Sequence, residues 1–132
     1  MKTTLIKTIA FLLVVLLTNL TTVFGQELVA TNCIEYRKVN NNWVKVDEKE
    51  IIMAFQIDIP NGIIIVHPIG GTPDVYNIKS SEVVYGQGNV EIPRLVTNFG
   101  VYTIVKNKKG LIDIVFTKPS MKLVLNTTSR YF

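Results

Sequence analysis

The chain has 132 residues, with 14 lysines and arginines against 10 aspartates and glutamates, and it contains one histidine and one cysteine. This length fits one small domain, and a formal net charge of +4 is too mild to indicate binding to nucleic acid. Because Cys33 is the only cysteine, an intramolecular disulfide is excluded and the fold must depend on its apolar core.

The N-terminus has the pattern of a secretory signal peptide. Two lysines precede an apolar run at residues 9–17, and the stretch ends in Val23-Phe24-Gly25, which suits a cleavage site. Cleavage between Gly25 and Gln26 predicts a single secreted or periplasmic domain of residues 26–132, with a net charge of about +2. A membrane anchor is the alternative, but polar residues interrupt the run well short of the roughly 20 apolar residues that a spanning helix needs.

The first strands are predicted near the start of this domain. Residues 27–39 alternate, and their even positions carry most of the apolar side chains: Leu28, Ala30, Ile34 and Tyr36. The asparagines at 40–42 indicate a turn, and residues 43–47 resume the alternation, which predicts a hairpin. The polar residues 47–50 are expected to connect it to the next hairpin.

Residues 50–69 predict a second, central hairpin. Its first arm alternates apolar and polar side chains, and Pro60-Asn61-Gly62 has the composition of a three-residue loop with a bulge. That loop places Phe55 opposite His67.

Further strands follow. Residues 74–86 predict one or two strands, and Pro93 confines a short apolar piece at residues 92–96 to an edge or a loop, because proline cannot donate to a strand ladder. The clearest turn signal is at residues 107–110, where Asn107-Lys108-Lys109-Gly110 predicts a hairpin that pairs Tyr102 with Phe116. A final strand is predicted at residues 121–126.

Together these elements predict an all-β fold. No segment after the cleavage site shows the periodicity of an amphipathic helix, and turns recur at short intervals. An antiparallel meander of about 7–9 strands is expected to close into a small barrel, and a two-layer sandwich is the alternative.

His67 is the only histidine and has two possible settings. In the three-residue-loop register it is a core histidine beside Phe55. A two-residue Asn61-Gly62 loop instead places it opposite Gln56 and diagonal to Asp58, where a carboxylate can orient an imidazole as a general base. One histidine and one cysteine cannot supply a zinc site, so no metal and no cofactor are expected.

Aromatic side chains are the remaining candidates for function. They are Tyr36, Trp43, Tyr76, Tyr85, Phe99 and Tyr102. A barrel mouth lined by tyrosine and tryptophan suits a small apolar ligand, and Tyr36, Trp43 and Tyr102 are the predicted ligand-binding residues.

The leader ending in Val23-Phe24-Gly25-Gln26, followed by a chain rich in lysine, asparagine and isoleucine, resembles exported proteins of Bacteroidota such as flavobacteria. The hairpin-rich body resembles small β-rich secreted proteins of these bacteria, some of which are similar to lipocalin-like barrels. The resemblance implies an exported barrel and carries no functional residue over to this chain.

Three functions are consistent with the sequence. The first is a non-catalytic barrel that binds a small apolar ligand outside the cytoplasm. The second is a protein-interaction module, such as an inhibitor or an envelope-assembly subunit, that uses an exposed sheet edge. The third is a hydrolase that uses His67. None requires nucleic acid, and no membrane span is expected after cleavage.

Overall fold

The computed structural model describes residues 26–132, so the predicted signal peptide lies outside the described residues. Eight strands make up most of this part of the chain, and a short 3-10 turn, Gln87–Asn89, joins the fourth to the fifth. The strands are β1 (Gln26–Val39), β2 (Asn42–Asp58), β3 (Ile63–Pro68), β4 (Asp74–Tyr85), β5 (Glu91–Thr97), β6 (Val101–Lys106), β7 (Ile112–Thr117) and β8 (Met121–Thr127).

The eight strands form one closed sheet. Each strand pairs antiparallel with the next along the chain, and β8 pairs back to β1, from Ala30 opposite Thr127 to Arg37 opposite Met121. The predicted all-β antiparallel meander is confirmed, and the ring of strands corresponds to the barrel rather than to the two-layer sandwich.

Alternating side chains along the strands fill the inside of the ring. In β3, Ile64 and Val66 are buried, whereas Ile63, Ile65 and His67 are more exposed. The apolar core consists of Leu28, Ala30, Cys33, Phe55, Ile57, Ile64, Val66, Leu95, Tyr102, Ile104, Ile112, Ile114, Phe116 and Leu125. Full burial of a leucine, isoleucine or phenylalanine is worth roughly 1.5–3 kcal/mol, so this core can hold the domain together without a disulfide.

The first hairpin differs from its prediction. Asn40 and Asn41 both have positive φ, 51° and 63°, which makes a tight two-residue turn of the type that suits twisted strands. β2 then runs unbroken from Asn42 to Asp58, so the connector expected at residues 47–50 is wrong. Those polar residues are part of the strand and pair with β1.

The central hairpin is present, but its predicted register is wrong. The loop has four residues, and Phe55 lies opposite Val66 instead of His67. The carboxylate of Asp58 explains the longer loop, because it accepts hydrogen bonds from the backbone N–H of Asn61 at 3.2 Å and from its side-chain amide at 2.8 Å.

β4 and β5 are longer than the sequence suggested. The sequence predicted one or two strands in residues 74–86, and the structure has one, β4, with 12 residues. Its pairing with β5 is irregular between Ile78 and Ser80. β5 is paired with β4 on one side and with β6 on the other, so the prediction that residues 92–96 lie at an edge or in a loop is wrong. Pro93 is tolerated because β6 pairs with β5 only from Arg94 to Val96, which leaves the proline without a partner on that side.

The β6–β7 hairpin confirms its prediction. Tyr102 lies opposite Phe116, and Gly110 has a positive φ of 79°. The N–H of Gly110 donates to the carbonyl of Asn107 at 3.0 Å, which closes the turn.

The two ends of the ring are different. Because the chain runs up and down, the turns after β1, β3, β5 and β7 lie at one end, which we call the open end. The turns after β2, β4 and β6 lie at the other end, beside core residues such as Ile57, Ile64 and Ile112. The core fills that half, and a cavity occupies the half beneath the open end.

Candidate functional site

A cavity of about 460 Å³ lies inside the ring at its open end. Small-molecule sites typically have volumes of about 300–1,000 Å³. The uncharged side chains around it are Cys33, Ile51, Met53, Phe55, Val66, Pro68, Tyr76, Phe99, Tyr102, Phe116, Leu123 and Leu125. The charged ones are Glu35, Asp47, Lys49, Asp74 and Lys118.

Cross-strand pairing builds the floor of the cavity. Three pairs of opposed residues contribute to it: Phe55 with Val66, Tyr102 with Phe116, and Leu125 with Cys33. These residues are buried and belong to the apolar core, so the cavity opens directly onto that core. Six strands supply the three pairs, and the floor therefore requires the closed ring.

Aromatic rings surround Tyr102. The centroid of its ring lies 4.8 Å from that of Phe116, 6.4 Å from that of Tyr76 and 6.5 Å from that of Phe55. Tyr76 also meets Phe99 edge to face, with 5.2 Å between centroids. Such contacts fix the rings and give the cavity rigid, apolar walls.

The hydroxyl of Tyr102 faces the cavity without a protein partner. Tyr102 is 5% exposed, and its hydroxyl makes no hydrogen bond within residues 26–132. Every fully enclosed polar side-chain atom in this part of the chain has a hydrogen-bond partner, so this hydroxyl is not enclosed by protein and must reach the open space. Burial raises the pKa of Tyr102 far above its ordinary value, with help from Tyr76 and Asp74, so the hydroxyl stays protonated and can donate.

The charged side chains form a rim around the cavity. Glu35 is held by Arg37, whose Nε lies 2.8 Å from its Oε2. Lys118 extends from the end of β7 over the ring of Phe116, with 5.9 Å from Nζ to the centroid. Asp47, Lys49 and Asp74 complete the set. A charged rim over an apolar interior lets water meet the mouth while the interior holds an apolar group.

Cys33 lies in the cavity wall as a free, buried thiol. Desolvation raises its pKa, and the opposing effect of the nearby Lys49 is smaller. The thiol is therefore protonated at neutral pH and serves as a small apolar wall residue.

The structure separates the three residues predicted to bind a ligand. Tyr102 lies in the cavity wall, but Tyr36 and Trp43 lie on the outside of the ring. There Lys122, next to the inward Leu123, places its Nζ 4.7 Å from the ring of Tyr36 and 5.3 Å from that of Trp43. The two outer rings thus form a surface cluster with lysines.

A bulge in β1 turns Tyr36 outward. Leu28 and Ala30 are buried inside the ring, but the register shifts between Ala30 and Asn32. Beyond the shift, the odd-numbered Cys33 and Glu35 face the cavity. The even positions, including Tyr36, therefore point away from it.

Both predicted settings of His67 are wrong. His67 is exposed on the outer face and lies opposite Ala54. Asp58 is at the far end of the hairpin, where it binds the loop residue Asn61. No carboxylate forms an ion pair with His67 in the described part of the chain. Nor do residues 26–132 contain a group of three or more histidine, cysteine or acidic side chains that could hold a metal ion.

The sequence interpretation missed several wall residues. Phe55 and Phe116 were expected in the core, and nothing in their spacing showed that one side of each ring would border empty space. Tyr76 and Phe99 were among the aromatic candidates, but the alternation gave no means of choosing them over Tyr36. The sequence did not show which face of each strand points into the ring, or which end of the ring stays open.

Comparisons with protein-family models, with curated proteins and with solved structures found no match in any of the three. Among residues 26–132, no helix is long and apolar enough to cross a membrane.

Proposed function

We propose that this chain is an exported, non-catalytic β-barrel that binds a small apolar ligand in the cavity at its open end. The observation that supports this proposal is the cavity itself, which has a volume of about 460 Å³ and is lined mainly by apolar and aromatic side chains. Burial of apolar surface is worth roughly 25 cal/mol per Å², so an apolar ligand gains affinity by leaving water for this interior.

Residues 26–132 bring no histidine into the cavity, which supports the binding role over a hydrolase that uses His67. His67, the only histidine of the chain, is exposed on the outer face of β3 and does not line the cavity. The cavity thiol, Cys33, is kept in its unreactive protonated form by burial and has no histidine beside it. Charged side chains lie at the rim, whereas the interior offers tyrosine hydroxyls that suit recognition.

Native mass spectrometry of the protein taken from the periplasm or medium of its producing cell tests both parts of the proposal. The expected spectrum shows a chain that begins at Gln26 and retains a small molecule, which is lost when the protein is unfolded. An uncleaved chain contradicts the export part of the proposal.

A matched pair of variants tests the location of the site. The probe is phenylnaphthylamine, an uncharged compound whose fluorescence rises in apolar surroundings. Leu123→Trp places a larger side chain in the cavity and is expected to weaken probe binding at least about fivefold. The control, Val124→Trp, alters the neighbouring outward position and leaves the affinity unchanged. Equal effects of the two substitutions, or no binding by the wild-type protein, would rule out this cavity as the site.

Protein interaction is a second candidate function, favoured by an unpaired strand edge. β3 pairs with β2 from Met53 onward, so residues 42–50 of β2 have β1 on one side and no strand ladder on the other. A partner that adds a strand here would protect from hydrogen exchange those amides of residues 42–50 that are not bonded to β1. Unchanged exchange in the presence of a co-purified partner would exclude this edge as its docking site.

A further inference from the structure

Two tyrosine hydroxyls give the cavity a defined polar spot. Tyr102 is 95% buried by its 5% exposure, and its unpartnered hydroxyl reaches the open space of the cavity. Tyr76 lines the same cavity, its ring lies 6.4 Å from that of Tyr102, and its hydroxyl also lacks a hydrogen-bond partner among residues 26–132. Because the protein leaves both hydroxyls accessible from the cavity and without a partner, an acceptor on a bound ligand can take a hydrogen bond from them.

The charge near this spot limits which acceptor fits. Asp74 lies two positions before Tyr76 on β4, and its negative charge acts on both tyrosine hydroxyls. The lysines of the rim, Lys49 and Lys118, belong to β2 and to the end of β7. A carboxylate beside the tyrosines would lose the hydration of its charge and be repelled by Asp74, whereas a neutral carbonyl has a much smaller desolvation cost and no net charge for Asp74 to repel.

We infer that the cavity selects uncharged apolar molecules that carry a hydrogen-bond acceptor, such as a ketone or ester carbonyl, and that Tyr102 donates a hydrogen bond to this acceptor. The inference rests on the proposed function and specifies its ligand class. The aromatic walls formed by Phe55, Tyr76, Phe99 and Phe116 favour a flat ring system as the apolar part.

The test compares three naphthalene probes of similar size by titration calorimetry at neutral pH. They are methyl naphthyl ketone, isopropenylnaphthalene as its hydrocarbon isostere, and naphthoate as a charged relative. Tyr102→Phe keeps the ring and removes the hydroxyl, so the variant should fold. Tyr36→Phe makes the same change on the outer face and is the matched control.

The expected result is a selective loss of affinity for the ketone. Tyr102→Phe weakens ketone binding by about fivefold and changes hydrocarbon binding less than about twofold, whereas Tyr36→Phe changes neither. Naphthoate binds the wild-type protein at least about tenfold more weakly than the ketone.

Each contrary result has a distinct meaning. If Tyr102→Phe weakens the binding of ketone and hydrocarbon equally, Tyr102 does not donate a hydrogen bond to the acceptor. The inference then fails, but the proposal that the cavity binds a ligand is unaffected. If naphthoate binds more tightly than the ketone, the preference for uncharged ligands is wrong. If no probe binds, the proposed function fails and the inference fails with it.

Discussion

Thr97 shows how one buried side chain shapes the cavity. Its Oγ1 donates to the carbonyl of Gly100 at 2.8 Å and accepts from the N–H groups of Phe99 at 3.2 Å and Gly100 at 3.3 Å. Gly100 fits because a Cβ there would lie 2.6 Å from the ring of Phe116. These contacts hold the β5–β6 turn, which carries Phe99 over the cavity.

Thr97→Val should destabilise the protein. Valine has the shape of threonine but can form none of the three hydrogen bonds, and the position is buried, with 6% exposure. Urea titration should therefore show a loss of about 1–3 kcal/mol in the free energy of unfolding. Thr103→Val is the matched control, because Thr103 is half-buried on the outer face of β6 and has no side-chain hydrogen bond in the described residues. Equal stability of the two variants would contradict the role assigned to the Thr97 hydroxyl.

At the scale of elements, β2 combines a paired edge with an unpaired one. Its segment from residue 42 to residue 50 pairs with β1 alone, and it carries charges of both signs at Lys45, Asp47, Glu48, Lys49 and Glu50. Charged side chains on an open edge oppose the addition of a second chain, because pairing would desolvate them. The polar stretch that suggested a connector is thus explained as the protection of an edge.

The double variant Glu48→Val, Glu50→Val should self-associate. The two substitutions remove two charges from the open edge and add residues of high β propensity. Sedimentation velocity should therefore show a concentration-dependent increase in particle size relative to the wild-type protein. The control is Arg94→Val, Lys122→Val, since both positions lie in strands paired on two sides. Similar behaviour of the two double variants would indicate surface hydrophobicity rather than the edge as the cause.

At the scale of the whole molecule, ring closure creates the environment of Tyr102. The rings around it come from β2, β4 and β7, which are distant in sequence. Together they remove the hydroxyl from bulk water, and this desolvation is the main reason that its pKa is raised.

Stability should therefore fall at alkaline pH. In the unfolded chain Tyr102 ionises near its ordinary pKa of about 10, whereas the folded protein keeps it protonated. Above that pH the unfolded state binds fewer protons, so the free energy of unfolding decreases as pH rises, by up to about 1.4 kcal/mol per pH unit for one group.

Urea titrations between pH 8 and pH 11 measure this effect. Tyr102→Phe should show a shallower alkaline decline than the wild-type protein, although Cys33 and Tyr76, whose pKa values are also raised, keep part of the slope. Tyr85→Phe is the control, because Tyr85 is 67% exposed and its hydroxyl meets water in both states. If Tyr102→Phe leaves the slope of unfolding free energy against pH unchanged, the burial of Tyr102 does not cause the loss of stability at alkaline pH.

The sequence by itself determined the strands and the turns that depend on adjacent residues. The β6–β7 hairpin was predicted with its register because Asn107 and Gly110 have the conformational preferences that its turn requires. The register of the central hairpin was missed because the carboxylate of Asp58 binds Asn61 and lengthens the loop, an interaction that composition does not reveal.

Only the tertiary structure decided which aromatic residues meet. Alternation assigned Tyr36 to the same face as Leu28, but the irregularity after Ala30 in β1 reverses the faces and turns Tyr36 outward. A strand has a repeat of two residues, so one extra residue exchanges inside and outside for everything that follows. Tyr102 reached the cavity because β6 has no such irregularity. The cavity exists because closure brings β1, β2, β3, β4, β6, β7 and β8 around one space.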